Sequence, residues 1–560
     1  MKYIIIGAVA GGASAAARIR RLDEHAEIII FERGAYISYA NCGLPYYIGD
    51  VIKDRNKLFV QTAAAFNKRF NIDVRTMTDV IQIDPKNRIV TAFKQSTGEV
   101  YTENYDKLVL SPGAEPVRPP LPGINSEGIF TLRNVRDTDY IKNYIRQHNV
   151  KKAVVIGAGF IGLEMAENFH QLGLQVIVME MSNQILTPLD FPIAALAQQH
   201  IRSKGVQLLL NTTVTGFTNE DDGLTVTLKN GEILKADIVL LSIGVRPDTN
   251  LAEKAGLKIG SARGIAVNEF LQTSDSDIYA VGDAIEFKNS VSGKSMISYL
   301  AGPANKQGRI CADNIVLGNT HSYHGSINTA IVKVFDMTVA TAGMASKHLT
   351  AENIPHIVST NHAGSHASYF PGSTRMSIQI AFSPDNGRLL GAQIAGHEGV
   401  DKRIDILSSY IQQSRTIYDL AEFEHAYAPP YSSAKDPVNM AGFVAENILS
   451  DKLKIFYWDE ITRLKTYDLL IDVRNPDEFS AGCIPGAINI PLDEIRDRLQ
   501  EIPADKNIRI YCEAGLRGYL AQRILKQLGF DSVSNLSGGY ISWKACMAEY
   551  ENEYHLITRF

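Results

Sequence analysis

Two cysteines in this 560-residue chain stand in surroundings that can make sulfur reactive. Cys512 opens the run Cys512-Glu513-Ala514-Gly515-Leu516-Arg517-Gly518, between strand-like residues 508–511 and a helical stretch. A loop curled over a helix N-terminus points backbone N–H groups inward, where they can stabilise a thiolate or persulfide. Cys42 lies in Ser38-Tyr39-Ala40-Asn41-Cys42-Gly43-Leu44-Pro45, with no second cysteine nearby. Such a residue is either a redox nucleophile or a buried inert thiol, since free cysteine is among the most buried residue types. Cys311 and Cys546 carry no motif, and Cys483 is expected to be structural. Five scattered cysteines make no disulfide framework, so the reducing cytoplasm is the expected compartment.

The elements around these residues are built on a repeated pattern. The strand Lys2–Ile6 stops at Gly7-Ala8-Val9-Ala10-Gly11-Gly12, an alanine-rich helix follows, and a second strand, Glu27–Phe31, ends on Glu32. Strand, glycine loop, helix, strand and acid is the order of a dinucleotide site. Glycines admit a pyrophosphate, the helix N-terminus offers free N–H groups, and the acid binds a ribose hydroxyl. Val9 stands where the pattern has its middle glycine. The order recurs at Lys152–Ile156, Gly157-Ala158-Gly159-Phe160-Ile161-Gly162 and Gln175–Met179, ending on Glu180. An acid at Glu180 repels the 2′-phosphate of NADP, so NAD(H) is the expected second dinucleotide.

Length at roughly 150 residues per domain predicts three to four domains. A 45% hydrophobic and 21% charged composition excludes wholesale disorder, a collagen-like chain and a small disulfide scaffold. The net charge of −5 gives no global basic field, and no apolar run reaches about 18 residues. Neither nucleic acid nor membrane is an expected partner, and no metal site is expected.

With both glycine units in place, residues 1–450 resemble the two-dinucleotide flavoprotein disulfide reductases. Tyr105-Asp106 through Ser111-Pro112-Gly113-Ala114 resembles the exit from an FAD domain, and Leu240 through Gly244-Val245-Arg246-Pro247 the return. Residues 273–283, ending Val281-Gly282-Asp283, resemble the second FAD motif, whose aspartate holds the ribityl chain. The resemblance implies cofactor contacts at Gly7 to Gly12, Glu32, Arg33, Ser111, Gly113, Gly244, Gly282, Asp283, Ala301 and Gly302. In the NAD(H) unit it implies Gly157, Gly159, Phe160, Ile161, Gly162 and Glu180.

Dithiol members of that group carry C-x-x-x-x-C where this chain has Cys42 alone, so no internal active-site disulfide can form. The oxidised state is then a sulfenic acid or a mixed disulfide with a small thiol. A nearby helix end and an oxidised flavin are expected to favour the thiolate. Within the single-cysteine group, peroxidases carry a histidine where Ala10 stands, whereas Gly7 to Gly12 is similar to the coenzyme A disulfide reductases and persulfide reductases. That resemblance implies tyrosines donated across a homodimer, matched by Tyr369 in Ser365-His366-Ala-Ser-Tyr369 and Tyr427 in His425-Ala-Tyr427-Ala-Pro-Pro-Tyr431. It also implies coenzyme A contacts at Ser14, Arg18, Arg21, Ser38, Asn41, Asn305 and Lys435, with Arg69 a looser match. Read from the residues alone, three arginines such as Arg18, Arg20 and Arg21 on one helix are more often a solvated face.

Beyond Asn447 the pattern restarts after a polar junction at 450–454. Asp472-Val-Arg474-Asn-Pro-Asp-Glu478-Phe, Gly482-Cys483-Ile-Pro-Gly486 and Ser537-Gly538-Gly539-Tyr540 resemble a rhodanese domain, with Cys512 and Arg517 as its catalytic pair. The C-x-x-x-x-R loop also resembles that of small phosphatases, but the flanking motifs favour sulfur transfer. The expected fold is α/β: Rossmann-like FAD (1–113, 246–324) and NAD(H) (114–245) domains, an α+β dimerisation domain (325–447) and a C-terminal α/β rhodanese domain (455–560). The expected activity is NADH- and FAD-dependent reduction of coenzyme A persulfide, coenzyme A disulfide or polysulfide through Cys42, with Cys512 handling sulfane sulfur. Two rivals stand: an NADH oxidase or peroxidase cycling through Cys42 sulfenic acid, and a redox sensor that changes partners on oxidation.

Overall fold

The computed structural model describes residues 1–220 and 223–557, which form two compact units. One comprises Met1–Met181 and Thr212–Asn328; the other comprises Ser182–Asn211 and the chain from Thr329 onward.

In the first unit, isoleucine-rich Lys2–Ile6 is buried because it is central in a parallel sheet. Glu27–Phe31 and Lys107–Leu110 flank it, Ile6 facing both Phe31 and Leu110, so every strand delivers its C-terminal end to the same edge. Gly7 turns off that edge at φ +96°, where a Cβ would stand 2.1 Å from the Ser111 carbonyl oxygen. No side chain fits that approach. A Cβ on Gly12 would stand 1.9 Å from the Gly7 oxygen, which seats the helix Ala10–Leu22 directly on the turn. The helix Ala301–Leu317 packs on it through Gly308, whose Cβ would lie 2.4 Å from the Gly11 oxygen. The second glycine unit repeats the device. Lys152–Ile156 pairs in parallel with Gln175–Met179 and Ile238–Leu241, and Gly157 (φ +101°) would bring a Cβ within 2.3 Å of the Ser242 oxygen.

The second unit holds two sheets. The antiparallel one runs Ala330–Val334, Met337–Gly343, Leu389–Gly396, Arg375–Phe382, Ile357–Gly364, and is backed by helices Val400–Gln412 and Pro437–Leu449. The parallel one runs Ile455–Phe456, Val533–Leu536, Asn507–Tyr511, Asp468–Asp472, Ile488–Asn489. Residues 182–211 lie inside the expected NAD(H) stretch yet cluster here. Phe191 stacks on Trp458 at 5.4 Å, and Ala195 packs with Ala545 and Cys546 of the last helix, Gly539–Ile557. Gln198 Nε2 donates to Glu549 at 2.8 Å. His362, on the antiparallel sheet, bonds the Gly538 carbonyl and Ser542 Oγ, each at 3.0 Å. Burial holds its imidazole at about 4, so it is neutral in this contact. Among the described residues no helix is long and apolar enough to cross a membrane.

Asp190 pins this unit. Its buried carboxylate accepts from Gln379 Nε2 (2.6 Å), Gln393 Nε2 (2.7 Å) and the Ser346 and Lys347 amides (2.9 and 3.1 Å). Asp190→Ala leaves those donors desolvated and unmatched, which costs about 3 kcal/mol. A lowered urea midpoint in tryptophan fluorescence checks this, because both tryptophans, Trp458 and Trp543, lie in the same unit. An unchanged midpoint would refute it.

Candidate active site

A cleft of ≈ 1050 Å³ opens at the C-terminal edge of the first sheet. Gly7 to Gly11, Glu32, Arg33, Asn41, Cys42, Ser111, Gly113, Gly282, Asp283 and Ala301 line it. Gly12 lies behind the loop as packing, and Gly302 stands at the start of the neighbouring helix with open space around it. Val9 is the N-cap of Ala10–Leu22 and supplies no side-chain cap, so the first-turn amides remain available to an anion. Glu32 Oε2 accepts from the Ala8 amide at 2.9 Å and Oε1 from Gly34 at 2.8 Å, which sets a carboxylate beside the loop. Uncapped helix, clash-tight glycine turn and adjacent carboxylate form a cradle that fits a dinucleotide such as FAD. The second loop has the same parts: Gly159 is an uncapped N-cap, Phe160 and Ile161 begin the helix, Gly162 closes on Gly157, and Glu180 Oε2 accepts from Ala158 at 2.9 Å. Gly244 turns at φ +109° with open space around it.

Arg33 is engaged by Glu115 and, at 3.1 Å, by Asp248. Arg133 also lines the cleft, with its guanidinium against Gly113, and had no sequence signal except the Asn134–Asp137 capping box after it. Thr78 and Val80, from an antiparallel strand without a motif, form further wall.

Cys42 is exposed on the short turn Asn41–Gly43, ahead of the five-residue helix Leu44–Ile48. Ser38 places this segment: at φ +45° its amide donates to the Ala8 oxygen at 2.8 Å. The expectation that a helix end favours the thiolate needs correction. Desolvation, then the Glu164 and Asp283 carboxylates, push the Cys42 thiol up, and its own backbone amide opposes them only weakly. Glu164, raised to about 6 by burial, accepts from Tyr46 Oη at 3.2 Å.

The residues expected to contact coenzyme A are spread over both units. Ser14 Oγ meets Asn305 Oδ1 at 2.5 Å, but Arg18 is committed to Asp313 at 2.6 Å. Arg20 is buried, donating to the Phe70, Asp23, Glu24, Ala26 and Asn71 carbonyls, which makes it structural. Arg21 and Arg69 are exposed on their helices. Lys435 is exposed in the second unit.

In that unit Tyr369 and Tyr427 are both exposed, and their hydroxyls meet at 2.8 Å. A buried ion pair clamps their loops together. Arg403 Nη2 donates to Asp436 Oδ2 and the Ser365 oxygen, both at 2.9 Å, and Ser432 Oγ donates to the same carboxylate at 2.5 Å. Asp436 ends the second tyrosine motif, whereas Arg403 did not stand out in the sequence.

Cys512 is buried at the end of Asn507–Tyr511, its Sγ accepting from the Gly515 amide at 3.1 Å. Gly515 (φ +115°) starts the helix Leu516–Gln527, and the Cys512 oxygen receives the Tyr540 amide at 2.8 Å. Arg517 is gripped by both oxygens of Glu478, a partner sequence reasoning missed. Cys311 and Cys546 are buried and raised by desolvation, as bystanders should be. Cys483 is half-buried beside Gly482, whose oxygen accepts from Arg474.

Comparison with known proteins agrees with this geometry. The pyridine nucleotide-disulphide oxidoreductase model matches residues 1–308, the dimerisation-domain model of that family 329–437, and the rhodanese-like domain model 458–546. Coenzyme A disulfide reductase of Staphylococcus haemolyticus is 37% identical over 447 residues, covering 80% of this chain and 100% of the relative. The crystal structure of reduced Bacillus anthracis CoADR-RHD is similar with a TM-score of 0.96 and 47% identity, covering 98% of each chain. An NAD-dependent persulfide reductase from A. fulgidus aligns with a TM-score of 0.91 and 39% identity, covering 97% of this chain and 100% of the other.

Because the Glu164 carboxylate is the larger of the two charges opposing ionisation of Cys42, Glu164→Gln lowers the thiol's pKa. The pH midpoint of Cys42 alkylation, followed by mass spectrometry, should move down, and less far for Asp283→Asn. No movement in Glu164→Gln would show that the carboxylate does not act on the thiol.

Proposed function

We propose, for a chain that belongs to the pyridine nucleotide-disulphide oxidoreductase family, that it reduces coenzyme A–sulfur bonds with NADH through Cys42, while a rhodanese domain carries sulfane sulfur on Cys512. The observation that carries this reading is the placement of one exposed cysteine in the wall of the dinucleotide cleft. Cys311, the other cysteine of that unit, is fully buried, so an oxidised Cys42 has no partner thiol within its own unit, which favours a small thiol as its partner. The coenzyme A disulfide reductases to which the chain is similar point to such a thiol, coenzyme A.

Gly7 to Gly12, Glu32, Ser111, Gly282 and Asp283 would hold FAD, and Gly157 to Gly162 with Glu180 the nicotinamide dinucleotide. Bound FAD supplies the two-electron relay between nicotinamide and sulfur. The Glu180 carboxylate occupies the place where a 2′-phosphate would be repelled, which favours NADH. The Cys42 thiolate attacks the coenzyme A sulfur of the persulfide, the S–S bond breaks, and sulfide leaves with the electron pair. Tyr369 and Tyr427, uncharged at neutral pH and hydrogen-bonded to each other, deliver the proton from the partner subunit of a homodimer. Reduction of the Cys42–coenzyme A disulfide releases the thiol. The net reaction is coenzyme A persulfide, NADH and a proton giving coenzyme A, hydrogen sulfide and NAD⁺.

Ser14, Ser38, Asn41, Asn305 and the exposed Arg21 and Lys435 are assigned to coenzyme A, with Arg18 beside them held through its Nε by Asp313. In this reading 1–113 and 246–324 serve FAD, 114–245 NAD(H), 325–447 dimerisation and 455–560 sulfur transfer. Five free cysteines fit a cytoplasmic setting.

Anaerobic NADH oxidation with coenzyme A persulfide tests it. Turnover with stoichiometric sulfide is expected, falling at least a thousandfold in Cys42→Ser, on the order of losing a covalent nucleophile. Negligible turnover with the persulfide and the disulfide, together with rapid NADH loss on admitting oxygen or peroxide, would replace it with the sulfenic-acid oxidase.

A further inference from the structure

Both arginines beside the Cys512 loop are already matched by carboxylates. Arg517 Nη1 and Nη2 donate to Glu478 Oε2 and Oε1 at 2.6 and 2.7 Å, a bidentate fork. Arg517 holds the Glu478 carboxyl down at about 2, so the pair stays ionised throughout the working pH range. Glu478 is itself placed by the Asn475 amide at 3.0 Å, as the third residue of the capped helix Pro476–Ser480. Arg474 is bound to Asp472 at 2.7 Å and Glu513 at 3.3 Å, and lies 4.0 Å over the Tyr540 ring. Two guanidinium groups therefore face three carboxylates. Lys544 lies 5.9 Å from the Tyr540 ring centre. Loop amides such as Gly515 still serve the sulfur of Cys512, but neither loop arginine is left to meet a multiply charged donor.

We propose that Glu478 is a specificity-determining positioning residue: by holding Arg517 it disfavours dianionic sulfur donors such as thiosulfate and leaves Cys512 to organic persulfides. The inference rests on the sulfur-transfer reading of Cys512. With thiosulfate, the Cys512 thiolate attacks the outer sulfur, the S–S bond breaks, and sulfite leaves with the electron pair, giving Cys512–S–S⁻. With an organic persulfide the same attack on the terminal sulfur expels the organic thiolate and gives Cys512–S–SH. Only the first path brings two negative charges to the loop and builds up charge on a sulfonate there.

The test loads Cys512 in the full-length protein with either thiosulfate or pantetheine persulfide. Persulfide on the Cys512 peptide is followed by mass spectrometry as donor concentration is varied. The wild type should need about tenfold more thiosulfate than pantetheine persulfide for half-saturation, and Glu478→Gln should close most of that gap at an unchanged limiting rate. Glutamine keeps an oxygen for the Asn475 amide, so the helix cap survives, and Glu478→Asp should restore discrimination by restoring the charge. Equal use of both donors by the wild type, or an unchanged ratio in Glu478→Gln, overturns the proposal. So does a parallel loss with both donors in a variant whose tryptophan fluorescence is native. The assay contains no NADH, so its failure leaves the Cys42 reaction standing, and failure of that reaction leaves this result readable.

Discussion

Everything at the flavin-side cleft depends on main chain lying against main chain. At Gly7 the backbone comes so near Ser111 that a single added carbon would overlap a carbonyl oxygen, and Gly12 repeats the contact one helical turn on. That approach aligns the helix Ala10–Leu22 with the edge of the sheet and brings the Glu32 carboxylate onto the Ala8 amide. The carbonyl of the same Ala8 then receives the Ser38 amide, and through it the segment carrying Cys42 is fastened to the glycine loop. One turn thus sets the dinucleotide cradle and the Cys42 segment together. Val9 in place of a middle glycine is tolerated because its backbone is at φ −101°, outside the left-handed region.

Cys42 and Cys512 stand in different surroundings. At Cys42, desolvation of the thiol first and then the Glu164 and Asp283 carboxylates push it up, so its protein surroundings favour the thiol. Cys512 is buried yet accepts an amide hydrogen bond from its loop, the kind of partner that stabilises sulfur anions. The first cysteine is open to a partner molecule and the second is enclosed by its own loop.

The glycine loops, both terminal acids, Cys42, the paired tyrosines and the Cys512 loop were legible because each is a short segment whose residue types impose a local backbone shape. What stayed hidden depends on partners far away in the chain. Arg18 reads as a free helical cation, but Asp313 takes it from 295 positions away. Arg20 looks like its neighbour yet is consumed by five carbonyls, and Arg133 enters the cleft from a segment with no motif. Asp190 and the Arg403–Asp436 clamp are of the same kind, ordinary in sequence and decisive once the chain is folded. Residues 182–211 could not be assigned to the second unit by sequence, because the dinucleotide pattern runs straight past them.

The C-terminal domain closes with a helix whose inner face is not its own to expose. Ala545 and Cys546 are covered by Ala195, and Trp458 by Phe191. Severing the chain at the 450–454 junction would bare that face to water and turn a shielded thiol into an accessible one. The freed fragment would carry a sticky, cross-linkable patch, prone to intermolecular disulfides in any oxidising buffer. This sulfur-carrying module is therefore a poor candidate for transplantation: as a part it has been fitted to its host, and the seam is hydrophobic.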